Sequence, residues 1–154
     1  MSVPEGISPY AEVMLCLPAD WPLKESYPGN PDVDWPITLL KQVARLPHEY
    51  GTWIGPWHSL PNGDPAEPYA ASTPFAGAVI TPMLRVPAEA RSITVPGGTA
   101  PDGTEINVLA VVPLHRDEVA VKIERGTDAL IEVLDRGRVT ELLDPSRPSF
   151  AVVR

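Results

Sequence analysis

The chain has 154 residues, which suits one domain with a buried core, and 44% of them are hydrophobic, more than an intrinsically disordered chain would carry. Its 20 acidic and 12 basic side chains give a net charge of −8 without a Lys/Arg cluster, which argues against binding nucleic acid or an anionic membrane and favours a basic protein partner. A single cysteine excludes an internal disulfide. Since the sequence contains no signal peptide and no apolar span of roughly 20 residues, we expect a cytoplasmic protein, with residues 1–154 forming one domain.

The first half of the chain predicts a strand and a helix. The apolar run at residues 10–17 predicts a strand, in which Cys16 would be a buried and inert thiol. A long loop starts at residue 20. We expect the following helix to begin near Asp34, as its N-cap, and to end at Pro47.

The second half predicts more strands and two further helices. Apolar runs predict buried strands at residues 75–81 and 106–114, and the second run is apolar enough to be central in a sheet. Residues 115–124 fit a strand, because apolar residues alternate there, or a short helix, which the acidic start and the following glycine favour. The remaining predictions are a strand at 52–58 interrupted by Gly55-Pro56, a strand at 92–95, turns at 61–64 and 97–103, a helix at 127–136 with Thr127 as its cap and Gly137 as its stop, and a strand-like end at 150–152. These elements predict an α+β domain with a mixed, mostly antiparallel β-sheet packed against a few α-helices.

The most distinctive segment is residues 46–65, with the sequence LPHEYGTWIGPWHSLPNGDP. It holds two of the four tryptophans and two of the three histidines, together with three glycines. Tryptophan buries a large area, whereas glycine and proline fix backbone conformations that other residues avoid. The composition therefore predicts an ordered structure rather than a flexible connector.

Four residues of this segment could carry chemistry. His48, Glu49, His58 and Asp64 combine the residue types of a metal site or an acid–base pair. The two histidines are ten residues apart, which matches no common metal motif, and the chain has no nucleophile elbow, phosphate loop or dinucleotide fingerprint. We therefore expect no catalytic residue, cofactor or metal. A metal-dependent or acid–base enzyme remains the alternative, which convergence of the four side chains in one pocket would favour.

The same segment also contains candidates for protein contact. Tryptophans serve more often as core anchors than as interface hot spots, but Trp57, between a proline and a histidine, is expected to be partly exposed. The turn that follows could present its tip to a partner. The predicted contact residues are Trp57, His58, Asn62, Asp64 and Glu67.

The order and spacing of several segments resemble the suppressor of fused family. They are AEVMLCLPADWPL, WPITLLKQVARLPHEYGTWIGPWHSLPNGDP, FAGAVITP and INVLAVVPLHRDEVAVKIERGTDALIEVLD with its closing DPSRP, which together cover nearly all of residues 10–148. The resemblance implies an α+β domain that binds proteins and has no established catalytic activity. The family's founding member in animals sequesters transcription factors by strand addition, and stand-alone bacterial relatives are often interpreted as immunity proteins that neutralise toxins. For an acidic chain, a basic toxin such as a nuclease would fit.

The resemblance also predicts a difference at the N-terminus. Relatives usually carry additional strands before a segment like SVPEG, where this chain has only Met1, so we expect a Sufu-like domain that is short at its N-terminus. A missing strand would leave a sheet edge open. We therefore expect the chain to be able to form a homodimer through that edge.

Overall fold

The structure, a computed structural model, describes residues 3–5, 7–23, 29–96 and 103–151. The elements in these ranges are β1 (Ala11–Met14), α1 (Pro31–Tyr50), β2 (Ser59–Pro61), β3 (Phe75–Pro82), a 3₁₀ turn (Ala88–Ala90), β4 (Ser92–Val95), β5 (Thr104–His115), α2 (Arg116–Arg125) and α3 (Thr127–Arg136). The α+β fold class is as predicted. No helix in the described part of the chain is both long and apolar enough to span a membrane.

The five strands form one sheet with β5 at its centre. The strand order is β1-β5-β3-β2, and β4 also pairs with β5. Strands β3 and β4 pair antiparallel with successive parts of β5, Pro82 lying opposite Leu109 and Ser92 opposite Asn107. Strand β2 is antiparallel to β3, whereas β1 is parallel to β5. The prediction of a mixed, mostly antiparallel sheet with the residue 106–114 strand at its centre is confirmed.

Helices cover both faces of this sheet. Neighbouring residues of a strand point to opposite faces of the sheet, so one apolar strand can contribute side chains to two hydrophobic cores. On β3, Ile80 packs in a cluster with Trp35 and Leu39 of α1, whereas Val79 packs in a second cluster with Val119 of α2 and residues of α3. This arrangement explains why β3 and β5 are continuous apolar runs rather than alternating ones.

Helix α1 begins four residues earlier than predicted. Asn30 is its N-cap and accepts a hydrogen bond from the Asp32 N–H at 3.1 Å, and Pro31 occupies the first helical position. Asp34 is therefore not the cap. It lies one turn inside the helix, where its Oδ2 accepts hydrogen bonds from the N–H groups of Gly29 and Asn30 at 2.7 and 3.0 Å.

Besides Pro31 at its first position, α1 contains two prolines in its interior, Pro36 and Pro47. Pro36 has no N–H to bond the Asp32 carbonyl, and that carbonyl instead accepts the Ser72 hydroxyl at 2.8 Å. The prediction that Pro47 ends the helix is wrong by about one turn. Gly51 ends it instead, with φ 58° and its N–H bonded to the Pro47 carbonyl.

Other predicted elements have mixed outcomes. The strands at 75–81 and 92–95 and the helix at 127–136 are confirmed. The turn predicted at 61–64 begins at Asn62, because Pro61 ends β2, and residues 116–124 are helical as favoured, whereas His115 ends β5. Residues 52–58 are not a strand, because Trp57 adopts φ 69° in the left-handed region, which a pleated strand does not contain. Residues 150–151 are irregular, and residue 152 lies outside the described residues, as do residues 97–102 of the predicted turn. The prediction that Thr127 caps this helix is wrong, because Gly126 occupies the N-cap position and Thr127 is the first helical residue. The Thr127 hydroxyl instead accepts a hydrogen bond from the Lys122 ammonium at 2.7 Å.

The C-terminal segment is tied to the core by a buried ion pair. Arg147 and Glu118 are both nearly inaccessible to solvent, and Arg147 also donates to the Pro113 carbonyl at the end of β5, at 2.9 Å.

Cys16, near β1, is only partly buried, and burial together with the nearby Glu141 carboxylate raises the pKa of its thiol.

Candidate functional site

Residues 46–65 form the end of α1, an irregular loop, β2 and the following turn, at one edge of the sheet. Strand β2 pairs with β3 on one side and is the last strand in the order β1-β5-β3-β2, so it is an edge strand. Pro61 is acceptable here because a proline, which lacks an N–H, is tolerated on an edge strand. The distinctive segment therefore builds one side wall of the domain.

Trp57 is anchored by its backbone and by its ring. Its N–H donates to the Ile80 carbonyl at 2.6 Å, and its indole packs against the second core cluster. The side chain is half-buried, so the predicted partial exposure is confirmed. A ring that is held in place and still reaches the surface costs little conformational entropy when it contacts a partner.

His58 lies in a cleft beside Trp57. Its imidazole contacts the indole of Trp53, with the ring centroids 4.5 Å apart, and its carbonyl accepts the Ile80 N–H at 2.8 Å. The cleft has a volume of about 450 Å³. Its lining includes Leu46, Trp53, Trp57, His58, Leu60 and Lys122. The site is thus largely apolar, with one histidine and one lysine among those lining residues.

Asn62 and Glu67 close the turn that follows β2. The Glu67 N–H donates to the Asn62 carbonyl at 2.9 Å, and the Asn62 amide Nδ2 donates to the Glu67 carbonyl at 2.7 Å. The Asn62 N–H is bonded to β3 through the Ala76 carbonyl, at 2.9 Å. These bonds give both residues a structural role and fix the position of the turn.

The turn carries two exposed carboxylates. Asp64 is exposed at its tip. Glu67 forms an ion pair with Arg116 at 3.1 Å, and more than half of each side chain is accessible to solvent. An ion pair this exposed contributes little to stability, and both carboxylates are accessible to solvent.

The four residues of the enzyme alternative do not converge. His48 lines a cleft beside β1, Glu49 lines a different cleft next to β2, and His58 lines the cleft described above. In the described residues, no group of three or more His, Cys, Asp or Glu side chains is arranged to hold a metal ion. The arrangement that the enzyme alternative required is not observed.

Sequence reasoning missed a second cavity, between α1 and the turn after β2. It has a volume of about 410 Å³, and Asp34, Trp35 and Tyr69 contribute to its wall. Tyr69 stacks on Trp35 with the ring centroids 5.6 Å apart and an interplanar angle of 4°. The only sequence feature that pointed to this cavity was the acidic residue Asp34 directly before Trp35. The sequence analysis interpreted Asp34 as a helix cap instead.

The comparisons with known proteins concern family and fold. The family model described as Suppressor of fused protein (SUFU) matches residues 1–148. The chain is similar in structure to a chain of the Sufu–Fu complex, at 13% identity and a TM-score of 0.55, over 83% of this chain and 51% of that one. It is also similar to Drosophila Suppressor of Fused, at 12% identity and a TM-score of 0.56, over 76% of this chain and 25% of that one. The chain therefore spans about half and about a quarter of these two structures, and the likeness shows a shared fold. No curated protein matches the chain.

Proposed function

Because this chain belongs to the suppressor of fused family, we propose that it is a non-catalytic protein-binding domain and that it acts as a cytoplasmic immunity protein. In this role it neutralises a toxin by binding it directly and occluding its active surface. The partner is a basic protein domain, because a chain with a net charge of −8 attracts a basic protein and accelerates their encounter.

The observation that carries the proposal is the surface at the β2 edge, which consists of Trp57, His58, Asn62, Asp64 and Glu67. An anchored, partly exposed indole lies beside an apolar cleft at one end of β2, and two exposed carboxylates lie just beyond its other end. Strand β2 has only three residues and spans roughly 10 Å, so these features lie near the two ends of one short element. An aromatic centre with a polar rim is the usual composition of a binding hot spot.

The partners of the matched proteins support binding in general and do not identify this partner. One matched structure is a complex between Sufu and Fu. The present chain covers only about half of the matched chain of that complex, so the partner in the complex cannot be transferred to it. We therefore infer the kind of partner from the surface chemistry of the present chain. That chemistry favours a basic surface with an apolar patch.

Protection of cells tests the immunity role. The genes next to that of this chain would be searched for a basic toxin domain, the chain would be co-expressed with it, and we expect growth to be restored. Trp57→Ala should reduce protection, whereas Glu132→Gln, on an exposed position of α3, should leave it intact. Failure of the unaltered chain to protect, with the toxin active and the chain folded, would refute the immunity role.

We also propose that the chain forms a homodimer through β1. In the described residues β1 pairs only with β5, so its outer edge is open to another strand. Two copies could pair there edge to edge. Light scattering at high protein concentration should show twice the monomer mass, and a monomer throughout would refute the proposal.

A further inference from the structure

A cleft of about 310 Å³ lies beside the start of β4, on the sheet face that α1 covers farther along. We call it the Arg91 cleft. Its lining combines Arg91 and Asn107 with mostly apolar residues, including Ile7, Ile54, Pro56, Pro82 and Leu109. It shares no residue with the β2-edge surface, so what it binds does not depend on the proposed function.

Arg91 brings an unpaired guanidinium to this cleft. Its Nε donates to the Val86 carbonyl at 3.4 Å, and its two terminal nitrogens make no hydrogen bond or ion pair with any described residue. The side chain is only partly exposed, and the backbone is fixed because the Arg91 carbonyl accepts the Val108 N–H of β5 at 2.9 Å. A partly buried cation without an anion is costly, and a bound carboxylate would offset that cost.

Asn107 supplies a second hydrogen-bonding group to the cleft. Side chains alternate between the faces of a strand, so Asn107 points to the same face as Leu109, which packs in the cluster with α1. Asn107 is partly exposed, and its side-chain amide makes no hydrogen bond with a described residue. Ser92 lies opposite Asn107 in the register of β4 and β5, which brings Arg91 close to it.

The charge of the cleft differs from that of the whole chain. The protein has a net charge of −8, yet none of the described residues that line the cleft is acidic. An anion is therefore attracted by Arg91 and is not repelled by a carboxylate of the lining. The Ser8 hydroxyl, also in the lining, already donates to the Glu105 carbonyl, which leaves Arg91 and Asn107 as the available donors.

We propose that the Arg91 cleft binds a small carboxylic acid with an apolar body. The guanidinium can bond the carboxylate through two N–H groups, the Asn107 amide can donate a further bond, and the apolar lining accepts the body of the ligand. A volume of about 310 Å³ is near the lower limit of small-molecule sites. The C-terminal residue of a protein offers the same carboxylate, but it would also carry a backbone amide into a lining that is mostly apolar.

The direct test uses 3-phenylpropionate as the probe. It would be titrated into the protein while the side-chain amide resonances of Asn107 are followed by NMR. We expect saturable shifts with a dissociation constant of about 1 mM, a strength within reach of one ion pair and one ring. 3-Phenylpropionamide has the same shape without the charge, and it should bind at least tenfold more weakly. Equal binding of the two probes, or no saturable shift with the acid, would overturn the proposal.

Variants of Arg91 connect the binding to its guanidinium. Arg91→Gln removes the charge and keeps a polar side chain, so it should fold and bind the acid at least tenfold more weakly. Arg91→Lys keeps the charge without the two-pronged geometry, and its affinity should fall between those two. Arg85→Gln removes the same charge from an exposed position outside the cleft and should bind as the unaltered chain does. Unchanged binding in Arg91→Gln would overturn the proposal.

A variant that fills the cleft gives a second test. Ala11 is exposed, lines the cleft and lies opposite Asn107 in the register of β1 and β5, so its side chain points to the same face. Ala11→Phe should therefore block the probe, whereas Ala11→Ser should not. Equal binding by these two variants would place the acid elsewhere and overturn the proposal.

N-acetyl-phenylalanine distinguishes a free acid from the end of a protein chain. It has the ring and carboxylate of 3-phenylpropionate and adds a backbone amide. We expect it to bind more weakly than 3-phenylpropionate. If it binds more tightly, the cleft recognises a protein C-terminus and the assignment of a small acid is wrong.

Discussion

Arg147 and Glu118 form a two-point ion pair in the protein interior. Nη1 of Arg147 lies 2.7 Å from Oε1 of Glu118, and Nη2 lies 2.6 Å from Oε2. Glu118 also accepts the N–H groups of His115 and Phe150, at 3.0 and 3.3 Å. Because every partner in this network is hydrogen-bonded, it fastens the C-terminal segment to the start of α2.

Replacing Arg147 with leucine should destabilise the protein strongly. It leaves the Glu118 carboxylate buried without its cation, which costs about 3–5 kcal/mol of the free energy of unfolding. Urea denaturation would measure this loss. Arg116→Leu is the matched control, since it breaks an exposed ion pair and should cost less than about 1 kcal/mol. Similar losses for the two variants would contradict the buried role of Arg147.

Thr81→Val should raise the stability. Thr81 is fully buried on β3, and its hydroxyl has no hydrogen-bond partner, whereas valine has nearly the same shape without the polar atom. We expect a gain of about 1 kcal/mol in the free energy of unfolding. Thr73→Val is the contrasting variant, because the Thr73 hydroxyl accepts the Phe75 N–H at 3.3 Å, and it should lower the stability. A loss of stability in Thr81→Val would contradict this account.

Gly137 is required by close packing rather than by backbone freedom. A Cβ at this position would overlap the ring of Phe150. Gly137→Ala should therefore displace the ring and cost about 1–3 kcal/mol in thermal unfolding measurements. In a Phe150→Ala background the same substitution should cost little, since the obstacle is gone. An equal cost in both backgrounds would place the effect elsewhere.

The Cys16 thiol should react slowly with an alkylating reagent. Burial and the Glu141 carboxylate raise its pKa, so at pH 8.5 less of it is thiolate than in the unfolded chain. Because the shift is upward, Cys16 supports the folded state fully below its ordinary pKa, and this support is lost as the pH rises through the higher pKa of the folded chain. The rate of iodoacetamide modification, measured with and without urea, checks the shift. Equal rates would contradict it.

The sequence predicted the elements whose signal is local. Strand β3 and the central part of β5 are apolar runs long enough to identify buried strands, and α3 follows from its apolar spacing and the glycine after it. The predicted start of α1 was wrong because Asn and Asp are both favoured N-cap residues, so the local sequence does not distinguish Asn30 from Asp34. The distant Ser72, which bonds both Asp32 Oδ1 and the Asp32 carbonyl, supports the earlier start.

The candidate site was predictable only in part. The turn after β2 was evident from its Asn-Gly step, and the partial exposure of Trp57 followed from its neighbours. Its left-handed backbone was not predictable, because tryptophan rarely adopts that conformation. The cavity beside Asp34 depends on Tyr69, which is 35 positions later in the sequence and reaches the cavity only through the path of the loop after β2.

The affinity of the chain for the basic toxin domain that we expect to be encoded beside its gene tests the central claim most directly. Calorimetric titration should show a saturable complex, and Asp64→Lys, at the exposed tip of the β2-edge surface, should weaken it about tenfold, or roughly 1.4 kcal/mol. Glu132→Lys makes the same change of charge on α3, away from that surface, and should weaken binding much less. No complex with the unaltered chain, or equal weakening by both variants, would contradict a protein-binding site at the β2 edge.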